Sequence, residues 1–421
     1  MDREELVAWL RLCLTPGVGN LNGRKLLTTF GLPQAIFEQP AVALRQVVSP
    51  AMATALQTPP PELEAQLQTT LDWLKEAETS GANNRFLLTL GDPRYPTALL
   101  NTEDPPLMLY LHGHIELIAQ ASARSSAHAN HGITLKPARD CIAIVGSRNP
   151  TPQGLHDAHA FARTFSEAGL VVVSGLALGI DGAAHEGALE GHLTGGARSA
   201  SGGTIAVIGT GLDRVYPKKH LGLAHRIVQH GLMVSEFPLG TPPLPPNFPK
   251  RNRIISALSL GTLVVQAAVK SGSLITARLA NEQGKEVFAI PGSIHSTQSR
   301  GCHALIKQGA KLVESAQDVL EELRLQLTPP PLPNSKLLRQ TSQPDVDTGT
   351  DAEGEALDRT DPDFEPDDLV KSLGYDPVSI DALVARTGWD AASLQVRLME
   401  LELDGQVARL PGGLYQRVVA G

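Results

Sequence analysis

The sequence predicts an α/β protein: an extended Rossmann-type, mostly parallel sheet, flanked by an N-terminal helical domain and a C-terminal winged-helix domain. In the middle of the chain, brief runs rich in valine and isoleucine alternate with helical stretches, as in parallel sheets with crossover helices. The residues before them show helical periodicity, and a proline-rich, acidic stretch separates them from a short helix-turn-helix and hairpin pattern. A chain of 421 residues is expected to hold two or three domains. We place them at 1–83, 84–326 and 365–421, with a disordered linker at 327–364.

The N-terminal domain is predicted to be a small helical bundle of the SAM or helix-hairpin-helix type. Its predicted helices are Glu4–Leu14, Leu21–Phe30 and Pro61–Ser80. The turn Pro16-Gly17-Val18-Gly19, followed by Arg24 and Lys25, resembles a helix-hairpin-helix turn, whose backbone amides can hold a phosphate. A plain helical turn within a bundle explains the same residues, so both interpretations stay open.

The central domain is predicted to alternate strands and helices. The clearest strands are Cys141–Val145, Leu170–Ser174, Thr204–Ile208, Met233–Ser235, Thr262–Gln266 and Glu286–Ala289. The predicted helices are Gln153–Ala168, Asp181–Glu190, His220–His230, Asn252–Leu258, Ser273–Glu282 and Gln298–Gly309. Two inserts, Ala119–Arg139 and Thr194–Gly203, lack apolar periodicity and are predicted to be mobile loops.

The charge distribution bears on the class of partner. A net charge of −8 argues against nucleic acid, because phosphate binding is largely electrostatic. However, eleven acidic residues and one arginine lie between Pro344 and Asp368. That stretch therefore has a net charge of −10, and the rest of the chain has a net charge of about +2. A nucleic-acid partner is therefore compatible with the remainder of the chain.

Other bulk features suggest a cytoplasmic protein. The N-terminus has no signal pattern, and no apolar stretch approaches the roughly 20 residues that a membrane span needs. Cys13, Cys141 and Cys302 are widely separated and lack CxxC spacing, so we interpret them as reduced thiols rather than as a disulfide framework or a zinc site.

The C-terminal segment has the pattern of a winged helix. Its predicted elements are the helices Ile380–Arg386 and Ala391–Leu403 and the hairpin strands Val407–Leu410 and Leu414–Val418. A duplex reader carries basic residues on its second helix, but here Arg397 stands against Glu400 and Glu402. The pattern favours a protein-contact or regulatory module over a groove reader.

The first glycine-rich motif follows a predicted buried strand. Gly146 lets a phosphate approach the backbone, Ser147 can donate a hydrogen bond, and Arg148 offers a bidentate guanidinium. In open parallel sheets, ligands lie outside the carboxyl ends of strands, where this motif is predicted to be. The alternative is a structural turn with a surface arginine.

A second motif contains Ser174, Gly175 and Gly179 and leads into a helix that carries Asp181 and His185. One turn of helix separates Asp181 from His185, so the pair can be a general base or half of a metal site. No third ligand or nucleophile stands out nearby. Helix capping and packing are therefore the favoured interpretation.

A third motif begins like a dinucleotide-binding fingerprint with Gly209 and Gly211. Its last glycine position is Arg214, and no acidic residue for a ribose ends a second strand. We therefore predict no cofactor, and interpret the loop as an anion site with Lys218 and Lys219 at its rim.

The most distinctive run is proline-rich and then basic and aromatic. Phe248 is a candidate stacking platform for a base, at the start of a helix with clustered cations. Its candidate contacts are Asn247, Phe248, Lys250, Arg251, Asn252 and Arg253, joined by Ser271, Gly272 and Ser273 at the start of a further helix. In the alternative interpretation, Phe248 is a core residue and one of the arginines forms a structural ion pair.

In this order the motifs resemble the DNA-processing protein A (DprA/Smf) family over about Arg85 to Val313. The motifs are Gly-Ser-Arg, Ser-Gly-Leu-Ala-Leu-Gly-Ile-Asp-Gly-Ala-Ala-His, Gly-Thr-Gly-Leu-Asp-Arg-Val-Tyr-Pro, Asn-Phe-Pro-Lys-Arg-Asn-Arg-Ile-Ile-Ser and Ser-Gly-Ser-Leu-Ile-Thr-Ala. The resemblance implies a protein that binds and protects single-stranded DNA, forms a homodimer and helps load the RecA recombinase in natural transformation. It also implies dimer contacts from His303, Leu305, Ile306 and Leu312.

The alternative function is a nucleotide-processing enzyme similar to phosphoribohydrolases, with Asp181 or Glu236 as acid or base. That family carries a Pro-Gly-Gly-x-Gly-Thr motif, whereas the only Pro-Gly-Gly here, Pro411 to Gly413, continues with Leu-Tyr in the predicted wing. The sequence therefore favours a DNA-binding protein that is not an enzyme.

Overall fold

The structure is a computed structural model that describes residues 2–79, 84–118, 122–123, 134–135, 140–194, 202–323, 369, 373 and 377–418. The chain divides into two compact units, residues 1–324 and 325–420. The predicted linker and most of the insert Ala119–Arg139 lie outside the described residues, as do residues 195–201 of the second insert. The described residues of the first insert form two short paired strands.

A mostly parallel sheet runs through the larger unit. Its strands are β1 (Arg85–Thr89), β2 (Met108–Gly113), β5 (Cys141–Val145), β6 (Val171–Ser174), β7 (Thr204–Val207), β8 (Leu232–Ser235), β9 (Gly261–Val264), β10 (Glu286–Ala289) and β11 (Lys311–Leu312), while β3 (Ser122–Ala123) and β4 (Thr134–Leu135) pair separately. The order across the sheet is β1-β2-β8-β7-β6-β5-β9-β10-β11. β2 is antiparallel to β1 and β8, and the other neighbours are parallel. The predicted Rossmann-type class is confirmed.

The strand order reverses at β5. From β5 the chain builds β6, β7 and β8 outward on one side, then returns to place β9, β10 and β11 on the other. In such sheets the crevice between the first strands of the two halves lies outside their carboxyl ends and is the usual ligand site. The topology therefore directs attention to the loops after β5 and β9.

The helices predicted for this unit are present, the described residues contain five further helices that were not predicted, and one predicted start is wrong. The helices are α1 (Arg3–Leu14), α2 (Asn20–Phe30), α3 (Pro33–Phe37), α4 (Ala41–Leu44), α5 (Pro50–Gln57), α6 (Leu63–Thr79), α7 (Thr97–Leu100), α8 (Pro152–Glu167), α9 (Ile180–Thr194), α10 (Leu221–His230), α11 (Asn247–Leu258), α12 (Ser273–Glu282), α13 (Arg300–Lys307) and α14 (Ala316–Glu322), with 3-10 turns at Ile115–Leu117 and Lys218–His220. α11 begins five residues before its predicted start at Asn252. Pro249 lies in its first turn, where the missing N–H has no partner to lose, so the proline does not end the helix. None of the described helices combines the length and apolar character that a membrane span requires.

The N-terminal helices and one face of the sheet share a hydrophobic core. Trp9 of α1 and Leu26 of α2 are fully buried in the same cluster as Tyr110 of β2 and Ile208, which follows β7. Val18 in the turn before α2 is buried, and the Arg24 guanidinium donates to the Thr102 carbonyl (3.1 Å). These contacts favour the plain structural turn over a phosphate-binding one.

The second unit contains a helix-turn-helix and a three-stranded sheet. Its elements are β12 (Val378–Ser379), α15 (Ile380–Thr387), α16 (Ala391–Leu403), β13 (Val407–Leu410) and β14 (Leu414–Arg417). Gly388 ends α15 in the left-handed conformation (φ 73°), which glycine adopts without strain. Leu383, Leu398 and Tyr415 belong to the core of this unit. The predicted winged-helix pattern is present, with β12 as an additional strand.

The shared core predicts that residues 2–79 unfold together with the sheet. We expect Leu26→Ala, which empties a fully buried site, to cost about 2–5 kcal/mol and to lower the stability of α2 and the sheet in one transition. Chemical denaturation followed by circular dichroism and by hydrogen exchange of β5 tests this. Leu21→Ala, on the exposed side of the same helix, is the control. A separate early transition confined to the N-terminal helices would contradict a shared core.

Candidate nucleic-acid interface

A cavity of about 700 Å³ opens at the carboxyl ends of β5 and β9, where the strand order reverses. Half of the residues predicted from the sequence line it: Gly146, Ser147, Arg148, Phe248, Arg251, Asn252, Ser271, Gly272 and Ser273. Residues from the first turns of α9, α11 and α12 also reach it. Helix N-termini carry partial positive charge, so this edge favours an anion.

The helical phase of α11 divides the predicted basic run between two faces. Phe248, Arg251, Asn252 and Ile255 follow a spacing of three and four residues and line the cavity. Arg253 lies on another face, and its guanidinium pairs with Glu236 and with Asp104 (3.0 Å). The prediction that Arg253 contacts DNA therefore has no support in this geometry, and the structural ion pair is the better interpretation.

Gln266, just after β9, holds the loop that carries Arg148. Its backbone carbonyl accepts from the Ser147 amide (2.6 Å), and its side chain accepts from the Thr151 amide (2.9 Å) and donates to the Thr151 hydroxyl (2.8 Å). Arg148 is exposed and extends from this fixed loop. A strand was predicted to end at Gln266, and the positioning role of this residue was not predicted because only the pairing of β5 with β9 reveals it.

Two aromatic rings and Arg148 form a continuous surface at the cavity wall. The Arg148 guanidinium carbon lies 5.7 Å from the Phe248 ring centroid, on which Tyr216 also packs (centroids 5.7 Å apart, planes tilted by 39°). Phe248 is half-buried and Tyr216 is 47% exposed. Tyr216 was missed as a site residue, although its position two residues before Lys218 in the third motif was a usable signal.

Two buried side chains of opposite charge, Arg251 and Asp181, lie in the lining of the cavity. Arg251 donates to the Val207 carbonyl (2.6 Å) and packs against Gly175, where a Cβ atom would come within 1.8 Å of the guanidinium. Burial lowers the pKa of Arg251 to about 10, so the side chain stays charged at neutral pH. Burial raises the pKa of Asp181, and Arg251 opposes that rise. Asp181 accepts from the amides of Gly175 (3.1 Å) and Ala177 (3.3 Å), which makes it a support for the loop.

His185 does not form an acid-base pair with Asp181. Its Nδ1 lies 2.7 Å from the Thr204 hydroxyl, whose own proton is donated to the Val172 carbonyl (2.7 Å), so Nδ1 is the donor. Burial lowers the pKa of His185 to about 3, and the ring is neutral at physiological pH. Within the part of the chain that the structure describes, no three His, Cys, Asp or Glu side chains are grouped to hold a metal.

The other predicted site residues do not line this cavity. They are Ser174, Gly175, Gly179, Gly209, Gly211, Lys218, Asn247, Lys250 and Arg253. The Ser174 hydroxyl donates to the Ile144 carbonyl (2.6 Å), and the Asn247 amide donates to the Gly209 carbonyl (3.1 Å). Lys218 and Lys250 are exposed. Lys270, which the prediction omitted, is exposed and lines the cavity.

The predicted dimer residues lie at the β11 edge of the sheet. Leu312 on β11 is 51% exposed, and Leu305 and Ile306 on α13 are partly buried against the core. The His303 imidazole bonds the Gly292 carbonyl (2.9 Å). Their role in self-association stays a prediction.

Comparisons with known proteins agree with the site motifs. The family model "DNA recombination-mediator protein A" matches residues 131–324, and the "DprA winged helix domain" model matches residues 353–413. Protein Smf of Escherichia coli is 38% identical over 348 residues, which cover 82% of this chain and 80% of that protein. Protein Smf of Synechocystis is 32% identical over 99% of this chain and 100% of its own length.

The chain belongs to the DprA/Smf family. A solved DprA from Streptococcus pneumoniae aligns with a TM-score of 0.58 and 34% identity, covering 76% of this chain and 98% of that one. The second family model confirms the predicted winged-helix class of the C-terminal unit. The DprA/Smf resemblance that the motifs carried is confirmed.

The neutral, buried state of His185 predicts a pH dependence of stability. Its folded pKa lies below the ordinary value of 6.5, so the unfolded chain binds the proton first and stability falls as pH drops through 6.5 toward 3. We expect this group to remove about 2 kcal/mol between pH 7.5 and pH 5. In His185→Asn, whose amide can still donate to Thr204, this contribution to the pH dependence of the free energy of unfolding should vanish. Urea unfolding at several pH values measures it, and equal slopes for both proteins would show that His185 is not the responsible group.

Proposed function

We propose that this chain binds single-stranded DNA at the cavity between β5 and β9, with phosphates at the helix N-termini and a base against Phe248 and Tyr216. The observation that carries the proposal is the joint surface of Arg148, Phe248 and Tyr216 beside Lys270. A cation beside aromatic rings meets the two needs of an unpaired nucleotide, charge neutralisation and base stacking. Bases inside a duplex are already stacked and paired, so a cavity of this kind selects a single strand.

We further propose that the chain protects incoming DNA and helps load RecA during natural transformation, acting in the cytoplasm as a homodimer. Relatives named DNA processing protein DprA, in Bacillus subtilis (40% identical) and Streptococcus pneumoniae (43% identical), support a role in DNA processing. The exposed Leu312 beside the partly buried Leu305 and Ile306 supports a self-association surface at the β11 edge.

The same geometry favours binding over catalysis. A general acid or base needs a group that can exchange a proton with substrate. Asp181 accepts two backbone amides and Glu236 pairs with Arg253, so both candidates of the phosphoribohydrolase alternative already have structural partners. We therefore infer a non-catalytic protein. Release of a nucleobase from nucleoside monophosphates by the pure protein would overturn this inference.

For the winged helix we infer a protein contact rather than a duplex contact. Val396, Met399 and Leu403 on the outer face of α16 are 62–82% exposed, and Glu400 pairs with Arg397 (2.6 Å). A helix that enters a DNA groove presents cations and hydrogen-bonding groups instead. This face therefore supports the interpretation made from the sequence.

Arg148→Ala is the first test of the DNA site. We expect the Kd for fluorescent oligothymidylate to rise about tenfold at low salt. The slope of log Kd against log salt concentration should fall by about one, the value that corresponds to one lost phosphate contact. Fluorescence anisotropy at several salt concentrations measures both. Arg278→Ala removes a 69%-exposed arginine outside the cavity and serves as the matched control. Equal losses in the two variants would indicate a general charge effect and not this site.

The aromatic pair predicts a loss of a different kind. Phe248→Ala or Tyr216→Ala should cost about 1–3 kcal/mol of binding with an unchanged salt slope, because stacking releases no counterions. Tyr216→Phe retains the ring and should bind like the wild-type protein. If Tyr216→Phe is as weak as Tyr216→Ala, the hydroxyl rather than the ring makes the contact.

A further inference from the structure

We propose that the N-terminal helices set the affinity of the DNA site by holding α11 through a relay of three side chains, Asn20, Glu236 and Arg253. This inference rests on the proposed function and assigns a role to a part of the chain that does not line the cavity. In it, Asn20 and Glu236 are positioning residues, not DNA contacts.

The first step of the relay is the docking of α2. Asn20, Gly23 and Arg24 lie on one face of this helix, at spacings of three and four residues. Gly23 packs against Leu107, where a Cβ atom would come within 2.4 Å of the leucine side chain. Asn20 accepts weakly from the Leu107 amide (3.4 Å) and donates to the Glu236 carboxylate (3.0 Å). The start of α2 is thereby attached to the residue that follows β8.

The second step is the Glu236 carboxylate, whose side chain is only 10% exposed. The same oxygen, Oε2, accepts from Asn20 and pairs with the Arg253 guanidinium. A nearly buried carboxylate is costly unless it is paired and hydrogen-bonded, so the three side chains stabilise one another in a single arrangement. Removing Asn20 leaves Glu236 with one of its two partners.

The third step is α11 itself. Arg253, 11% exposed, is two residues from Arg251 and five from Phe248 on a continuous helix. Asp104 pairs with the other side of its guanidinium (3.0 Å). A helix moves as a body, so a shift of Arg253 moves Phe248 relative to Arg148 and Tyr216. Such a displacement of Phe248 weakens DNA binding although every side chain that contacts DNA is still present.

The test is a double-mutant cycle in the full-length protein, with Asn20→Ala, Glu236→Ala and the pair combined. We expect the Kd for oligothymidylate to rise about threefold in Asn20→Ala and about tenfold in Glu236→Ala, which removes the acceptor that both partners bind. Because Asn20 acts through Glu236, the combined variant should bind like Glu236→Ala alone. The salt slope should stay at the wild-type value in all three, since none of these side chains meets a phosphate.

Asn22→Ala, two residues along α2 and off the docking face, is the matched control and should bind like the wild type. Titration at high DNA concentration gives the active fraction, which separates weaker binding from partial unfolding. Additive losses in the combined variant, or an unchanged Kd in both single variants, would overturn the relay. If the wild-type protein fails to bind oligothymidylate at all, the proposed function fails instead.

Discussion

The buried guanidinium of Arg251 is the interaction on which the cavity depends. It joins three parts of the fold, because it lies on α11, bonds the last carbonyl of β7 and packs on Gly175 after β6. Its charge also acts on the buried Asp181 at the start of α9. A charged group taken out of water is tolerated only when such partners surround it. The exposed Arg148 and the stacked Phe248 are therefore carried by a framework whose contacts stabilise one another.

The order of strands and helices could be predicted from the sequence because it depends on local periodicity. The apolar runs Cys141–Val145 and Glu286–Ala289 have the same bounds in the structure, and the loop after Val145 lies at the predicted sheet edge. The predictions are wrong where a local sequence rule has an exception. The helix was predicted to begin at Asn252, whereas it begins at Asn247 and contains Pro249 in its first turn, where a proline is harmless. With the start of α11 misplaced, the helical phase was lost, and Arg253 could not be separated from Arg251.

The glycine-rich loops were a second reason why the site could be predicted only in part from the sequence. A glycine that lets a phosphate approach and one that lets the protein's own side chain approach have the same letter in the sequence. Gly175 accommodates Arg251, and Gly146 accommodates Ile180, where a Cβ atom would come within 2.6 Å. Long-range contacts decide between the two, and no local pattern records them. For the same reason the role of Gln266 emerges only after β5 pairs with β9.

The division of cations between two environments suggests how the site combines rigidity with binding. Arg251 and Arg253 are enclosed by protein partners, so their charges fix the framework and are largely unavailable as new contacts. Arg148 and Lys270 are exposed, keep their water until a ligand arrives, and can exchange it for phosphate oxygens. Salt should therefore weaken DNA binding through the exposed pair while the framework stays intact, because screening acts strongly on solvated charges and weakly on buried ones. A cavity built in this way can release its ligand without unfolding its own support.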